Sequence, residues 1–556
     1  MSILERRFWW MALALIAVMA AVTTTSALDE TQTWDEGIHT AIGYGYWVTG
    51  EFYQNPEHPV LGKMLLTLPL RLFVHPDLNT HGEAYQNQQL ENIGIEFLYR
   101  NRVAPETILM ACRFVAIGIT LAFAAYLAWW SKRRFGPAAA LTTLALFAFD
   151  PNFIANGRFV TTDVLAAATI FVTCTLWIEY LSSGRRLWLV LAGLSLGFAF
   201  ASKYSSLYLA GVLPLLFWVR PPKPFGLAVR RFITACLALG LLSAAVVAVV
   251  YSPELIHPDP YTHLRDHLTG KGFAGSVLLA FANRFAWLRP LNWLIGIDRV
   301  SEFNSVGHQA YLLGQISDHG WWYYFPVAFA VKTPVAVLAG FALSIILAWK
   351  LRARLRRFGF VLFLTLAPAA VFFLISCAAS INVGLRHILP IYPAIYVFMG
   401  CVLAEAVQVQ PWARWALVGV LLFTAVESIA IYPNYLAFFN VAAGGPDAGP
   451  KYLLDSNLDW GQSFKKLGWY VKDHRIERTC LWSFGNGNPA RYIPGHVENM
   501  DADHMDRLDC VAAVSATPLF GLYTGLQYFA PLRAKKPMAI VGHSIYLYDL
   551  RRTSAH

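Results

Sequence analysis

Long apolar stretches, separated by short polar or basic segments, dominate the chain. A helix that spans a bilayer needs about 20 apolar residues, and about eleven such stretches are present. Their number predicts a mainly α-helical, polytopic membrane bundle over residues 1–433. The stretches begin near residues 8, 105, 137, 160, 187, 204, 232, 322, 358, 388 and 415, and those near 137, 187 and 204 are short or interrupted. The mean hydropathy of +0.45 agrees with a chain solvated largely by lipid.

Two segments between the apolar stretches have features of membrane-surface structure. In the first, at about residues 28–104, positions 36–50 and 61–74 show helical apolar spacing but contain polar groups, which predicts helices lying along the interface. The second, at 252–321, ends in a cluster of Trp and Tyr. These residue types mark the level of the lipid headgroups.

After residue 433 the pattern changes to shorter elements. A helix-like run is followed by strand-like runs, which predicts a small α/β domain over residues 434–556. The runs are Phe464–His474 for the helix and Thr479–Phe484, Cys510–Ser515 and Met538–Tyr548 for strands. A disulfide between Cys480 and Cys510 would suit an oxidising compartment, but the sequence also allows two free thiols.

The net charge of +10 is informative through its distribution along the chain. Basic clusters fall in alternate loops, and the positive-inside rule assigns them to the cytoplasm. The N-terminus is then inside, and its first apolar segment is expected to be a retained span. The first loop at 28–104, the second loop at 252–321 and the tail lie outside an inner or plasma membrane. This distribution accounts for the basic charge, so no nucleic-acid partner is predicted.

An acidic pair, Asp35-Glu36, opens the first outer loop. One interpretation is a capping box, with Thr33 as N-cap and Glu36 as the third helical residue. That interpretation explains Glu36 and leaves Asp35 free. The other is catalytic, with Asp35 as a general base that takes a proton from an acceptor hydroxyl.

Basic residues in the short outer segments run against the topology rule. They are Lys63, Arg158, Lys203 and Arg386. They could grip an anionic headgroup, such as the phosphate of a lipid carrier. Alternatively, each could extend to the phosphate of an ordinary phospholipid.

Lys332 lies within an apolar stretch between Pro326 and Pro334, which suggests a broken helix. A Lys inside a membrane needs a partner. It could bind phosphate or pair with Asp163, which could equally orient a sugar hydroxyl or help to hold a divalent metal ion. The run from Asp455 to Gln462 begins like a calcium loop but lacks the required Gly and Glu, and it is interpreted as a turn.

Together these motifs resemble the GT-C superfamily of glycosyltransferases that use a lipid-phosphate sugar donor, close to the protein O-mannosyltransferase and aminoarabinose-transferase branch (glycosyltransferase family 39). The resemblance covers most of residues 30–395. It rests on the Asp35-Glu36 loop, His58 to Lys63, Asn156 to Asp163, Gly307-His308 through Pro334, and Asn382 to Arg386.

The resemblance implies an enzyme that moves a sugar from a polyprenyl-phosphate carrier to a hydroxyl of a glycan, lipid or protein acceptor, with inversion. The acids Asp35 and Glu36 would be catalytic, and the acidic group would serve as base or orient the acceptor. Substrate contacts are expected from Asp163 and from four histidines. These are His39, His58, His308 and His387. The competing hypothesis is a transporter or flippase for an anionic lipid or sugar, with Lys332, Asp163 and Arg386 along an internal pathway.

Overall fold

The computed structural model describes residues 3–253 and 291–552, together with residues 276 and 280. Most of the predicted second outer loop (254–275, 277–279 and 281–290) therefore lies outside the described residues. Its last part begins with the helix Leu291–Val306 and a short hairpin, in which β1 (Ala310–Leu312) pairs antiparallel with β2 (Gln315–Ser317).

Long apolar helices form the bundle that the hydropathy pattern predicted. Within the described residues, seven are long and apolar enough to cross a membrane. They are Leu4–Leu28, Pro105–Phe135, Asp163–Ser183, Phe225–Val250, Gly359–Cys377, Leu385–Val407 and Pro411–Ala430. The chain is an integral, multi-pass membrane protein.

The remaining predicted spans are a bent helix pair and three short helices. Tyr324–Lys332 and Val335–Lys350 meet at 109°, and this pair counts as an eighth span if it is one broken helix. Thr333 is extended because the ring of the following Pro334 disfavours the helical conformation there. The short apolar helices are Pro137–Ala148, Arg186–Ser202 and Tyr204–Phe217. The eleven predicted stretches are all helical, but by length only seven or eight qualify as spans.

Two helices of the first outer loop lie where the interfacial helices were predicted. Trp34–Thr49 begins with a capping box from Thr33 and ends at Gly50, whose φ of 72° favours glycine. Val60–Pro69 continues as a π-helical turn to Val74. The two pack closely at Gly43, where an added Cβ would lie 2.7 Å from the Lys63 carbonyl oxygen. This close contact fixes the position of the Lys63 backbone relative to the Trp34–Thr49 helix.

Shorter helices connect these elements. The α-helical segments are Glu83–Gln86, Leu90–Tyr99, Pro151–Asn156, Leu209–Phe217, Arg352–Leu355, Phe464–Asp473, Ala516–Leu519 and Ala530–Arg533. The 3-10 turns are Tyr204–Tyr208, Leu385–Ile391, Tyr435–Ala437, Val441–Ala443, Pro446–Lys451, Asp455–Asn457, Pro489–Arg491 and Met505–Arg507. The turn predicted at Asp455 is thus confirmed.

The tail contains a five-stranded mixed sheet of order β4-β3-β5-β7-β6. Its strands are β3 (Arg478–Trp482), β4 (His496–Asn499), β5 (Val511–Ser515), β6 (Ala539–Val541) and β7 (Ile545–Asp549). Strand β3 is parallel to β4 and β5, whereas β7 is antiparallel to β5 and β6. The sheet confirms the small α/β region. The predicted strand 538–548 is instead two strands, because His543 at φ 59° turns the chain.

The tail and the bundle share one core. Leu453, Cys480 and Ala512 belong to the same buried cluster as the residues of the long helices. A second, smaller cluster packs Phe464 and Leu467 of the Phe464–Asp473 helix against the sheet. The domain division at 433/434 stays a prediction.

A disulfide joins Cys480 to Cys510 and so links β3 to the residue that precedes β5. Because the two cysteines face each other across neighbouring strands of a sheet, peptide mass analysis without reduction should find them on one linked pair. The other five thiols should be free. Reduction before alkylation is the control, and it should label all seven. Recovery of both cysteines as alkylated thiols without reduction would contradict the link.

Candidate functional site

The first outer loop is fixed to the tail by two backbone hydrogen bonds. Thr31 N donates to the Gln462 carbonyl oxygen and Trp34 N to that of Trp460, both at 2.9 Å. These bonds hold the first turn of the Trp34–Thr49 helix against the 454–463 segment. Asp35 is part of that turn, and its carboxylate lies close to residues that are distant from it in the sequence.

Asp35 belongs to a cluster of two acids and two cations. Its Oδ2 accepts a hydrogen bond from an Arg386 guanidinium nitrogen at 2.8 Å. The same nitrogen lies 3.6 Å from Asp163, which also forms an ion pair with Lys203. Asp163 opens one span, Lys203 follows the Arg186–Ser202 helix, and Arg386 lies in the 3-10 turn Leu385–Ile391. Residues distant in sequence are thus gathered at one end of the bundle.

Residues of the tail hold the segment that carries Arg386 in place. The Leu385 amide donates to Asn457 Oδ1 at 2.9 Å, and the Arg386 guanidinium carbon lies 4.2 Å from the centre of the Trp460 ring. An added Cβ at Gly384 would come within 2.3 Å of Ser456 Oγ, so this approach requires glycine. A cation over an indole face is favourable and still leaves its N–H groups available.

Two nitrogens in this cluster have unused hydrogen-bonding capacity. Arg386 Nε and His387 Nε2 are buried and have no partner among the residues that the structure describes. A buried polar group without a partner is costly, which makes each such group a candidate contact for a ligand. An anion placed here could accept from Arg386 in a charge-assisted hydrogen bond.

His39, His58 and Lys63 lie next to the cluster. The two histidine rings meet edge to face at 5.1 Å, and His39 Nδ1 is 2.9 Å from the Val160 carbonyl oxygen. Burial lowers the pKa of His39 to about 4, against the opposing effect of Asp35. Burial also holds the pKa of His58 well below its usual value, with a further contribution from His39. Both rings are therefore neutral at pH 7.

Lys63 is enclosed, with its ammonium group fully occupied. It donates to Tyr46 Oη at 2.9 Å, to Asn55 Oδ1 at 2.8 Å and to the Asn55 carbonyl oxygen at 3.0 Å. Burial lowers the pKa of Lys63 to about 7, and Glu57 partly opposes that effect. Lys63 can reach a phosphate only by exchanging one of these partners.

The structure gives Glu36 contacts that differ from those of Asp35. Glu36 is fully buried and accepts from Arg113 at 2.8 and 2.7 Å. It also accepts from the Thr33 amide at 2.9 Å, which confirms the capping interpretation, and from Val160 N at 3.0 Å. Both carboxylate oxygens are engaged in these contacts, and the catalytic role of Glu36 stays a prediction.

Arg158 and Lys332, which were predicted as phosphate ligands, both have partners within the protein, and their role toward a phosphate stays a prediction. Arg158 is fully buried in a two-bond contact with Glu30 at 2.9 and 2.8 Å. Lys332 donates to the carbonyl oxygens of Leu436, at 2.8 Å, and Asn457. The prediction of an ion pair between Lys332 and Asp163 is wrong, because among the described residues Asp163 pairs with Lys203 and Arg386.

Sequence reasoning expected the tail to shape the acceptor site but did not single out Asp455 and Tyr523. The Asp455 carboxylate is buried and accepts from Tyr523 Oη at 2.6 Å, and the Tyr523 ring meets His308 edge to face at 5.9 Å. Burial raises the pKa of Asp455, although the hydrogen bond from Tyr523 opposes that rise. The polar run at Asp455 was the available signal, but it was interpreted as a turn alone.

A metal site has little support in the described residues. One group of three possible ligands lies close enough together to hold an ion, namely Cys480, Glu498 and Cys510. Its two sulfurs form the disulfide. A divalent ion at the Asp35 cluster therefore stays a prediction, and no step is assigned to it.

Comparison with known proteins agrees with the resemblance drawn from the motifs. The family model described as dolichyl-phosphate-mannose-protein mannosyltransferase matches residues 10–251. This match includes Asp35, Lys63, Asp163 and Lys203 and stops before Arg386. It confirms the resemblance of the chain to lipid-phosphate-dependent glycosyltransferases of the GT-C superfamily. No curated protein sequence matches the chain.

The chain is similar to the solved structures of two proteins, both at low sequence identity. ArnT from Cupriavidus metallidurans bound to undecaprenyl phosphate is 14% identical, with 96% of this chain and 97% of that chain covered and a TM-score of 0.47. The archaeal oligosaccharyltransferase AglB from Archaeoglobus fulgidus, in complex with an inhibitory peptide and a dolichol-phosphate, is 12% identical. The alignment covers 96% of this chain and 72% of that one, with a TM-score of 0.46.

The buried pair of Glu36 and Arg113 should matter for stability. Glu36→Ala leaves the Arg113 charge uncompensated in the core, so the free energy of unfolding in detergent should fall by about 3–5 kcal/mol. The matched control is Glu96→Ala, which removes an ion pair to an Arg100 side chain that is 77% exposed. That change should cost less than about 1 kcal/mol. Equal losses in the two variants would contradict the structural role of Glu36.

Proposed function

We propose that this protein transfers a sugar from a polyprenyl-phosphate carrier to an acceptor hydroxyl at the extracytoplasmic face of the membrane. The observation that carries the proposal is the cluster of Asp35, Asp163, Lys203 and Arg386 at one end of the bundle. It combines anchored carboxylates with cations, and a buried Arg386 nitrogen there has no partner among the described residues. The positive-inside rule supports the orientation.

Arg386 and Lys203 would hold the donor phosphate, and Lys63 would join them by exchanging a partner. As the bond between the anomeric carbon and the phosphate oxygen breaks, its electron pair leaves with the lipid phosphate. Fixed cations stabilise such developing charge most where water is excluded. The mostly buried Arg386 satisfies this condition, since its side chain is 13% exposed.

The acceptor hydroxyl would attack the anomeric carbon from the opposite side. Direct displacement inverts that centre and needs no nucleophile from the protein. Asp35 would orient the acceptor or take its proton, and His39, His58, His308 and His387 would line the substrates. Asp35 suits this position because it is 22% exposed while its Oδ2 remains anchored to Arg386.

The transporter hypothesis has weaker support. Its internal pathway joined Lys332 to Asp163, and these two side chains have separate partners.

A liposome assay separates the two functions. The full chain should transfer a labelled hexose from polyprenyl phosphate and form a new glycosidic bond. The donors are a panel of polyprenyl-phosphate hexoses, and the acceptor is an envelope extract of a strain from which this protein has been deleted. Movement of labelled lipid across the bilayer without sugar transfer would overturn the enzyme assignment.

Asp35→Asn should lower sugar transfer by at least about 100-fold, the usual scale of general base catalysis, while the protein still binds the donor. The neutral amide can keep a hydrogen bond but neither pairs with Arg386 nor accepts a proton. Labelled transfer and donor retention are measured on the same purified sample. Asp447→Asn is the control because it removes a carboxylate that is 61% exposed and pairs with His543. Turnover of Asp35→Asn within twofold of the wild type would rule out the proposed role of Asp35 toward the acceptor.

Affinity for the donor should fall as the pH rises above about 7. Lys63, whose pKa burial lowers to about 7, is protonated below that pH and neutral above it, and only the protonated form attracts phosphate. The loss approaches tenfold per pH unit at most. Polyprenyl-phosphate mannose is a suitable probe because a phosphodiester does not titrate between pH 6 and 9. Lys63→Met should bind weakly with a flatter profile, and an unchanged slope in that variant would remove Lys63 from the phosphate site.

A further inference from the structure

The carboxyl group of Asp455 lies near enough to Arg386 for the two charges to interact. Ser456 Oγ donates to the Val383 carbonyl oxygen at 2.7 Å, and Asn457 Oδ1 accepts from Leu385 N at 2.9 Å. These bonds align the Asp455–Asn457 turn with the segment that carries Arg386. Asp455 and Arg386 attract each other electrostatically. Arg386 therefore has three acidic neighbours, of which only Asp35 and Asp163 lie within ion-pair distance.

Asp455 differs from Asp35 in what its carboxylate contacts. Oδ2 of Asp35 accepts from a guanidinium, whereas Oδ2 of Asp455 accepts from the Tyr523 hydroxyl at 2.6 Å. In the second arrangement a carboxylate accepts a hydrogen bond from an O–H group, which is the geometry that a general base needs toward an alcohol. Oδ1 of Asp455 is fixed by the Ser456 amide at 2.5 Å, which leaves Oδ2 facing the hydroxyl.

The bond between Asp455 and Tyr523 is made by two residues in unusual backbone conformations. Asp455 has φ 57° and Tyr523 has φ 69°. Positive φ is uncommon for Asp and is an outlier for a bulky residue such as Tyr, and such positions concentrate at functional sites. Tyr523 is also 42% exposed, and its amide is held by Gln309 Oε1 at 2.9 Å. Because Tyr523 lies at the protein surface, an acceptor that arrives from solvent can displace its side chain, which also breaks the stacking of its ring on Phe484 at 5.6 Å.

We propose that Asp455 is the residue that takes the proton of the acceptor hydroxyl, and that the Tyr523 hydroxyl occupies the place of that hydroxyl before the acceptor binds. The proposal rests on the glycosyltransferase function above and assigns a further catalytic residue to it. The acceptor class is an alcohol, such as a glycan hydroxyl, which donates one hydrogen bond as Tyr523 does. Asp35 then orients the acceptor, which is the first of the two roles proposed for it above.

The step balances in bonds and protons. The acceptor oxygen forms a bond to the anomeric carbon while its proton passes to Asp455 Oδ2. The bond from the anomeric carbon to the phosphate oxygen breaks, and its electron pair stays on the lipid phosphate beside Arg386. Asp455 afterwards gives its proton to water, and Tyr523 returns to the carboxylate.

The test compares two variants that remove opposite ends of the same hydrogen bond, in the transfer assay with full-length protein, labelled polyprenyl-phosphate hexose and envelope extract. Asp455→Asn should lower kcat at least 100-fold and leave donor affinity within threefold. Asn also tolerates positive φ, so the turn is preserved. Tyr523→Phe should instead lower the acceptor concentration needed for half-maximal rate several-fold, because the competing hydroxyl is gone.

A purely structural bond predicts a different pattern, in which both variants lose activity and thermal stability together. That result, or a kcat of Asp455→Asn within threefold of the wild type, would overturn the proposal. Tyr523→Phe keeps the carboxylate, so its effect on acceptor saturation tests the proposal even if Asp455→Asn does not fold. Asp447→Asn is again the control for loss of an exposed carboxylate. Absence of transfer by the wild-type protein would refute the proposed function itself, which distinguishes the two failures.

Discussion

The contact between Arg386 and Asp35 is the constraint on which the site depends. A guanidinium with 13% exposure is costly to bury without nearby carboxylates, and Asp35 and Asp163 provide them. Each carboxylate is in turn held by an element of its own. The bundle, the first outer loop and the tail therefore meet at one cation, and a shift of any of them moves the others.

Other buried cations near this site are also paired with carboxylates, but their hydrogen-bonding groups are fully used. Arg113 with Glu36 and Arg158 with Glu30 are enclosed pairs whose hydrogen-bonding groups are used within the protein. Such pairs fix geometry but offer nothing to a ligand. Arg386 differs because its Nε has no partner within the described part of the chain. What separates Arg386 from the enclosed cations is unused hydrogen-bonding capacity rather than charge.

Much of the fold was predictable because it is encoded locally. Apolar stretches of span length predicted the long helices, the apolar spacing at 36–50 predicted the helix Trp34–Thr49, and the spacing of Thr33 and Glu36 predicted its cap. Partners distant in sequence were not predictable. Arg158 and Glu30 are 128 residues apart, and Asp455 and Tyr523 are 68 apart. A single sequence shows that a charged residue lies in an apolar setting but not which side chain neutralises it.

The two backbone bonds between the first loop and residues 460–462 also constrain how the protein is made. The amide of Trp34 is synthesised early, more than four hundred residues before its acceptor carbonyl on Trp460. Until the ribosome has passed that point, only the local capping box holds the first turn of the helix that carries Asp35. The nascent bundle can insert in the membrane in the meantime, but the Asp35 cluster gains its contacts with the tail only after the tail has been translated.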